Sequence, residues 1–148
     1  ELSAYISGVS PEIRAAMKDF GMKLGTAYQI YDDCLDLVGT EEQFGKTLRT
    51  DLEKGKLTLP MLYLLEEAGD TQREILQKRI IQQEELDLTV LAGIAEYQGA
   101  IARSLQYATD LLQEARDSLS LVNVSAYRDA LAEMLDFLLT LLGSLQKA

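Results

Sequence analysis

Four polar side chains lie close together near the middle of the first half of the sequence. Three are aspartates, Asp32, Asp33 and Asp36, and the fourth is Gln29, one helical turn before Asp33. An α-helix turns by about 100° per residue, so all four share an arc of about 100°. Carboxylates spaced in this way place oxygen atoms a few ångströms apart. They suit Mg²⁺, which prefers oxygen ligands and takes others from water and phosphate.

Lysines follow the aspartates, at Lys46, Lys54 and Lys56. If a phosphate group binds between the two sets, carboxylate, Mg²⁺, phosphate and ammonium alternate in sign. The other interpretation is an ordinary solvated helix end. The helix dipole disfavours negative charge at a C-terminus, so unpaired acids with a purely structural role would carry a modest energetic cost there. The residues alone leave both interpretations open.

Two glycines occupy the same arc of the helix below the acids, at Gly21 and Gly25. Each costs about 1 kcal/mol relative to alanine in a helix interior. Together they leave a strip without side chains, which could admit a neighbouring helix or the apolar tail of a ligand whose head group lies at the acids. Cys34 points away from this arc, and we predict that it is a small core residue.

The composition restricts the class of protein. The chain has 148 residues, 47% of them apolar, with a net charge of −10, so it is a poor general binder of nucleic acid or anionic membrane. Its single cysteine excludes an internal disulfide and favours a reducing compartment, which we expect to be the cytoplasm. The longest apolar stretch, 135–145, is shorter than the roughly 20 residues of a membrane span.

Helical periodicity extends along the whole chain, and no strand pattern is found. Ser10 and Pro11 predict the start of a long, central helix that ends near Val38. Further helices are predicted over 58–67, 70–82 and about 87–118, with a break around Gly99, and over 126–145, capped by Ser125. The fold class is therefore all-α, in one domain, 1–148. Because the sequence begins in the middle of a helical pattern, we expect a fragment of a longer protein.

The ordered string GTAYQIYDDCLDLVGTEEQFGKTLRTDLEKGKLTLP, residues 25–60, is more specific than its parts. It resembles the second aspartate-rich region of the trans-isoprenyl diphosphate synthases, the polyprenyl synthetase family. The usual form there is G-x-x-[FY]-Q-I-x-D-D-x-L-D, a loop, and then G-K-x-x-G-x-D-L-x-x-G-K-x-T-L-P. The strong match covers 21–64, and 99–119 resembles a late helix of the family more loosely.

The resemblance implies the C-terminal part of an isoprenoid-synthase-type helical bundle. It also implies a transferase of isoprenoid biosynthesis that condenses an allylic diphosphate with isopentenyl diphosphate, uses Mg²⁺ and forms a homodimer. By the same resemblance Asp32 is the best metal ligand, supported by Asp33 and Asp36.

The remaining roles that the resemblance implies concern the diphosphate. Gln29, Lys46 and Lys56 bind it, and Lys46 and Lys56 stabilise the pyrophosphate as it leaves. Gln29 lies beside the departing group and the allylic cation. Gln29 and Lys46 are the candidate catalytic residues.

The sequence departs from the family pattern in two ways. Arg49 replaces a loop glycine, and the first aspartate-rich region has no counterpart. The chain therefore resembles a C-terminal half that carries half an active site, and we expect it to be inactive without the N-terminal half. Two alternatives are a non-catalytic subunit of a hetero-oligomeric prenyl synthase and a helical interaction domain.

Overall fold

The structure is a computed structural model that describes residues 2–38, 54–82, 84, 86 and 88–146. Seven helices and no strand occur among these residues, which confirms the all-α class. The helices are α1 (Leu2–Ile6), α2 (Pro11–Val38), α3 (Leu59–Glu67), α4 (Asp70–Gln82), α5 (Leu88–Ile94), α6 (Gln98–Leu119) and α7 (Ala126–Leu145).

The long helix α2 begins as the sequence predicts. The Ser10 hydroxyl accepts a hydrogen bond from the Ile13 backbone N–H at 3.4 Å, and Pro11 occupies the first helical position, where its missing N–H costs nothing. The helix continues without interruption to Val38. All residues of the predicted acidic arc that precede Val38 therefore belong to one regular helix.

The most extensive helix–helix contact in the described part of the chain joins α2 and α6. Small residues face it from both sides: Ala27 and Cys34 on α2, and Ser104, Ala108 and Ala115 on α6, each fully buried. Small side chains at a helix crossing let the two backbones approach closely. This contact buries the side of α2 that lies opposite the acidic arc.

Polar contacts fix the relative direction of α2 and α6. Near one end, Lys23 bridges Asp19 of its own helix at 2.7 Å and Glu114 of α6 at 3.1 Å, and the Ser118 hydroxyl donates to Asp19 at 2.5 Å. Early residues of α2 thus meet late residues of α6, so the two helices are antiparallel. Salt bridges to Asp19 and Glu114 raise the pKa of Lys23 above its usual value.

The last helix, α7, is capped as predicted, because the Ser125 hydroxyl accepts a hydrogen bond from the Arg128 backbone N–H at 3.2 Å. It packs against both α6 and α2, and its Asp136 pairs with Arg116 of α6. The buried leucines Leu135, Leu138 and Leu142 form its inner face.

The helix break predicted around Gly99 is wrong by a few residues. The chain leaves α5 after Ile94 and begins α6 at Gln98, so Gly99 lies within the first turn of α6. The Glu96 carboxylate accepts hydrogen bonds from the backbone N–H groups of Gln98 and Gly99, at 2.6 and 3.3 Å. A capping carboxylate, and not the glycine, therefore sets the start of α6.

Helix α3 is attached to α6 through Arg103. The Arg103 guanidinium lies 3.9 Å from the centre of the Tyr63 ring and forms salt bridges with Glu66 at 2.9 Å and Glu67 at 3.1 Å. Hydrogen bonding to Glu67 is the main reason that the pKa of Arg103 is raised. The acids at this end of α3 are thus paired within the fold.

The C-terminal end of α3 is capped by a side chain from the next helix. The Arg73 guanidinium donates to the carbonyls of Leu65 at 2.8 Å, Glu66 at 3.2 Å and Ala68 at 2.7 Å. The last carbonyls of a helix have no partner within the helix, so a cation that binds them stabilises the helix end.

We expect Arg73→Ala to lower the free energy of unfolding by about 1–2 kcal/mol, because hydrogen bonds to a charged donor are lost and carbonyls are left uncapped. Lys78→Ala is the matched control, since Lys78 is an exposed cation on the same helix and its loss should change stability by less than about 0.5 kcal/mol. Urea unfolding measures both. Equal effects of the two substitutions would contradict the capping role.

Candidate functional site

The structure places Gln29, Asp32, Asp33 and Asp36 on one continuous helix, so they occupy the common arc that their spacing predicts. The Gln29 side-chain amide donates to the Asp33 carboxylate at 2.8 Å. Asp32 and Asp33 are half-buried, and Asp36 is 6% exposed. Burial therefore increases along the arc, from the exposed Gln29 amide to the buried Asp36 carboxylate, within two helical turns.

The burial of Asp36 is unusual, because a charged carboxylate is rarely buried without partners. No buried side-chain oxygen or nitrogen atom in the described residues lacks a hydrogen-bond partner, so the Asp36 carboxylate is satisfied within the fold. A buried, hydrogen-bonded side chain has few accessible rotamers. Asp36 therefore has little freedom to move, whereas Asp32 and Asp33 are more exposed.

Cys34 lies on the opposite side of α2, as predicted, and is fully buried. Burial raises the pKa of its thiol to about 12, and the nearby Asp33 charge acts in the same direction, while a hydrogen bond with Ser104 partly opposes them. The thiol is therefore protonated at neutral pH. Cys34 and Ser104 join α2 to α6 at the level of the acids.

The donor atoms of the arc fit a hard divalent cation. Asp32 and Asp36 are four residues apart, and all the candidate ligands are carboxylate oxygens, which Mg²⁺ prefers. Within residues 2–38, 54–82, 84, 86 and 88–146, no three Asp, Glu, His or Cys side chains are arranged to hold a metal ion by themselves. A cation at the arc would therefore need further ligands, and phosphate oxygens and water are the usual ones for Mg²⁺.

Of the two lysines predicted to bind the diphosphate, the structure describes only one. Lys46 lies outside the described residues. Lys56 is exposed, two residues before Thr58, in the turn that leads into α3. Before it, Gly55 adopts a φ of +63°, close to the carbonyl oxygen of Ile80 at the end of α4. This left-handed conformation favours glycine, and it determines the direction in which the chain presents Lys56.

The glycine strip borders a groove of about 620 Å³ between α2 and α7, here called the α2–α7 groove. An added Cβ at Gly21 or Gly25 would meet no atom within 4 Å. The groove is lined by Gly21, Leu24, Gly25, Tyr28, Ala130, Glu133, Met134, Phe137, Leu138 and Leu141. The glycine strip is thus open, which is what the binding of either a neighbouring helix or the apolar tail of a ligand would require.

The α7 side of this groove was not identified from the sequence. Ala130, Met134, Phe137 and Leu141 recur at alternating intervals of four, three and four residues, a spacing that keeps side chains on one helix face. That spacing was a visible signal. It could not be assigned to the groove, however, because the placement of α7 beside α2 depends on contacts that are distant in sequence.

The same arrangement of helices occurs in a solved prenyl synthase. A decaprenyl diphosphate synthase from Rhodobacter capsulatus superposes with a TM-score of 0.81 and 25% sequence identity, over 94% of this chain and 43% of that chain. The fold is therefore that of the helical prenyl synthases.

The comparison with family models is more specific than the fold. The model of the polyprenyl synthetase family matches residues 1–97. The chain belongs to the polyprenyl synthetase family. It is also 36% identical over 106 residues to a short chain isoprenyl diphosphate synthase of Methanothermobacter thermautotrophicus, over 67% of this chain and 32% of that protein.

A third relative is component 2 of the heptaprenyl diphosphate synthase of Bacillus subtilis, 46% identical over 65 residues, which is 44% of this chain and 19% of that protein. The matched segments thus cover a third or less of the length of these two relatives. No helix in the described part of the chain is both long enough and apolar enough to cross a bilayer.

Replacement of two glycines by alanine tests the turn before Lys56. Gly55→Ala should destabilise the chain by about 1 kcal/mol, because an L-residue is strained at a φ of +63°. Gly143→Ala should instead stabilise it by up to about 1 kcal/mol, since Gly143 lies inside α7 with no atom within 4 Å of an added Cβ. Thermal unfolding gives the sign of each change, and a neutral or stabilising Gly55→Ala would contradict the assigned conformation.

The reactivity of Cys34 tests its burial. Burial raises the thiol pKa from 9.0 to about 12. The contribution of the protonated thiol to the free energy of unfolding is therefore fully present below the pKa of the unfolded chain, and it is lost as the pH rises toward the pKa of the folded chain. At about pH 8 an aromatic disulfide reagent should react with the folded chain at least about a hundredfold more slowly than with the chain in guanidinium chloride. Comparable rates would show that Cys34 is accessible.

Proposed function

We propose that this chain carries the second aspartate-rich half-site of a prenyl diphosphate synthase, which condenses an allylic diphosphate with isopentenyl diphosphate. The observation that carries the proposal is the acidic arc, on the side of α2 opposite the packed α2–α6 contact. Family membership supports the reaction class. The allylic C–O bond breaks, a C–C bond forms to isopentenyl diphosphate, and a proton and pyrophosphate leave.

In this proposal Asp32 is the principal ligand of Mg²⁺, directly or through water, and Asp33 and Asp36 support it. Bound Mg²⁺ supplies positive charge to the diphosphate oxygens, where negative charge develops as the allylic C–O bond breaks. The hydrogen bond from Gln29 restricts the orientation of the Asp33 carboxylate. Asp36, already buried and satisfied, holds the local geometry with little reorganisation.

The cationic side of the site is assigned to Lys46 and Lys56. Both bind the allylic diphosphate and stabilise the departing pyrophosphate, and Lys46 is the candidate catalytic cation. Lys56 is exposed in the turn that leads into α3, and this surface position supports a role in binding a diphosphate from solvent. Gln29, at the exposed end of the arc, has a second role beside the departing group and the allylic cation.

The proposed half-site requires the rest of a prenyl synthase domain. The segments that this chain matches make up only 32% and 19% of the two relatives, which supports a contribution from outside these 148 residues. We therefore propose that the chain alone does not turn over, and that the complete enzyme is a homodimer in the cytoplasm. A single buried, reduced thiol suits a reducing compartment.

A second candidate function is a subunit of a hetero-oligomeric synthase. The Bacillus subtilis relative is named as one component of a heptaprenyl diphosphate synthase, which favours an enzyme of more than one polypeptide. In a non-catalytic subunit, however, the acids need not be retained. The complete Gln29, Asp32, Asp33 and Asp36 set therefore favours a catalytic contribution.

The proposal predicts that the chain binds inorganic pyrophosphate in the presence of Mg²⁺ and not in its absence. Asp32→Asn should weaken this binding by roughly tenfold or more, because a carboxylate ligand is lost. Asp33→Asn keeps an acceptor for Gln29 but loses the charge, and should also weaken it. Titration followed by ³¹P NMR measures the affinity.

The matched control is Asp110→Asn on α6. Asp110 accepts a hydrogen bond from Gln106 at 2.8 Å with the same spacing as the Gln29–Asp33 pair, but it lies on another helix. Its replacement should leave pyrophosphate binding unchanged. Binding without Mg²⁺, equal losses in Asp32→Asn and Asp110→Asn, or product formation by the chain alone would each contradict the half-site proposal.

A further inference from the structure

The α2–α7 groove belongs to an exposed apolar surface that the acidic arc does not explain. On the α7 side Met134 is 52% and Phe137 66% exposed, and on the α2 side Tyr28 is 56% exposed. Single exposed apolar residues are common, but a contiguous apolar patch of this kind usually marks an interaction site.

The shape of the groove fits an α-helix. Its floor is open above Gly21 and Gly25, where no atom lies within 4 Å of an added Cβ, so another backbone can approach closely. The α7 wall from Ala130 to Leu141 extends for about 16 Å, or three helical turns. Ridges at this spacing accept the side chains of a third helix packed between α2 and α7.

The length of chain outside the structure indicates where such a helix comes from. The chain superposes over 94% of its own length on only 43% of the Rhodobacter capsulatus synthase. More than half of that chain therefore has no counterpart here, and an apolar surface left uncovered by these 148 residues is where such a portion would pack. The α2–α7 groove is an apolar surface of that kind.

Charge distinguishes this occupant from a second copy of the chain. Among the described residues that line the groove, Glu133 is the one with a charged side chain, and the chain carries a net charge of −10. A second copy would double that charge across an interface that already contains a carboxylate. An apolar helix with a lysine or arginine opposite Glu133 would satisfy both the apolar lining and the carboxylate.

We infer that the α2–α7 groove binds one apolar helix, with a basic side chain opposite Glu133, from the portion of the prenyl synthase domain outside these 148 residues. This inference rests on the proposed function, and it specifies the surface at which the two halves of the domain meet. The groove lies below the acids on the same helix, but none of the arc residues lines it, so the two can be tested with different substitutions.

The test is coexpression of this chain with an affinity-tagged remainder of the Methanothermobacter thermautotrophicus synthase, from which the matched 106 residues are removed. The two should copurify without Mg²⁺ or pyrophosphate. Phe137→Asp should reduce the copurified amount at least about tenfold, because a central apolar contact becomes charged. Gly25→Leu, which fills the floor of the groove, should act in the same direction.

Ile81→Asp is the matched control, since Ile81 is 79% exposed on α4, away from the groove, and its replacement should leave copurification unchanged. Circular dichroism establishes that all three variants are folded. Failure of the wild-type chain to copurify, or equal loss in Ile81→Asp and Phe137→Asp, overturns the inference.

Two further outcomes would assign the groove to another occupant and also overturn the inference. One is a dimer of the chain alone, measured by light scattering, that Phe137→Asp dissociates. The other is binding of farnesol, a free isoprenoid alcohol, that Gly25→Leu abolishes. If the two chains copurify but pyrophosphate does not bind in the presence of Mg²⁺, the docking surface is retained and the proposed function is refuted. If pyrophosphate binds but the chains do not copurify, the proposed function is retained and the docking surface is refuted.

Discussion

The rotation of α2 about its own axis is the constraint on which the rest of the structure depends. Ala27 and Cys34 are fully buried on one side of this helix against small residues of α6, and that side is roughly 150° away from Asp32. The close contact leaves no freedom to turn the helix without placing large side chains in the crossing. The acids and the glycine strip therefore face away from α6 because the small residues face toward it.

Three carboxylates lie within five positions of α2, and their mutual repulsion would be lowered by a bound cation. The aspartates lie in the last two turns of α2, where the helix dipole adds negative potential, and the chain as a whole is acidic. At the end of α3, the acids Glu66 and Glu67 form salt bridges with Arg103. A divalent cation with a diphosphate would relieve the repulsion at the arc, and lysines from the following segment would balance the remaining phosphate charge.

Elements that depend on local interactions could be predicted from the sequence. The starts of α2 and α7 were predicted correctly because Ser10 and Ser125 cap their own helices. The start of α6 was not, because the Glu96 carboxylate performs the capping and a glycine nearby suggested a break. The arc of α2 followed from spacing alone, whereas the α7 wall of the groove required long-range packing that a periodic pattern does not specify.

Paramagnetic relaxation tests most directly whether the acidic arc holds a metal-bound diphosphate. Mn²⁺ accepts the same oxygen ligands as Mg²⁺ and broadens NMR signals of nearby nuclei. With Mn²⁺ and pyrophosphate present, the account predicts selective loss of the amide signals of Gln29, Asp32, Asp33 and Lys56, dependent on pyrophosphate. Broadening centred on Glu66 at the end of α3, or spread evenly over the exposed acids, would contradict it.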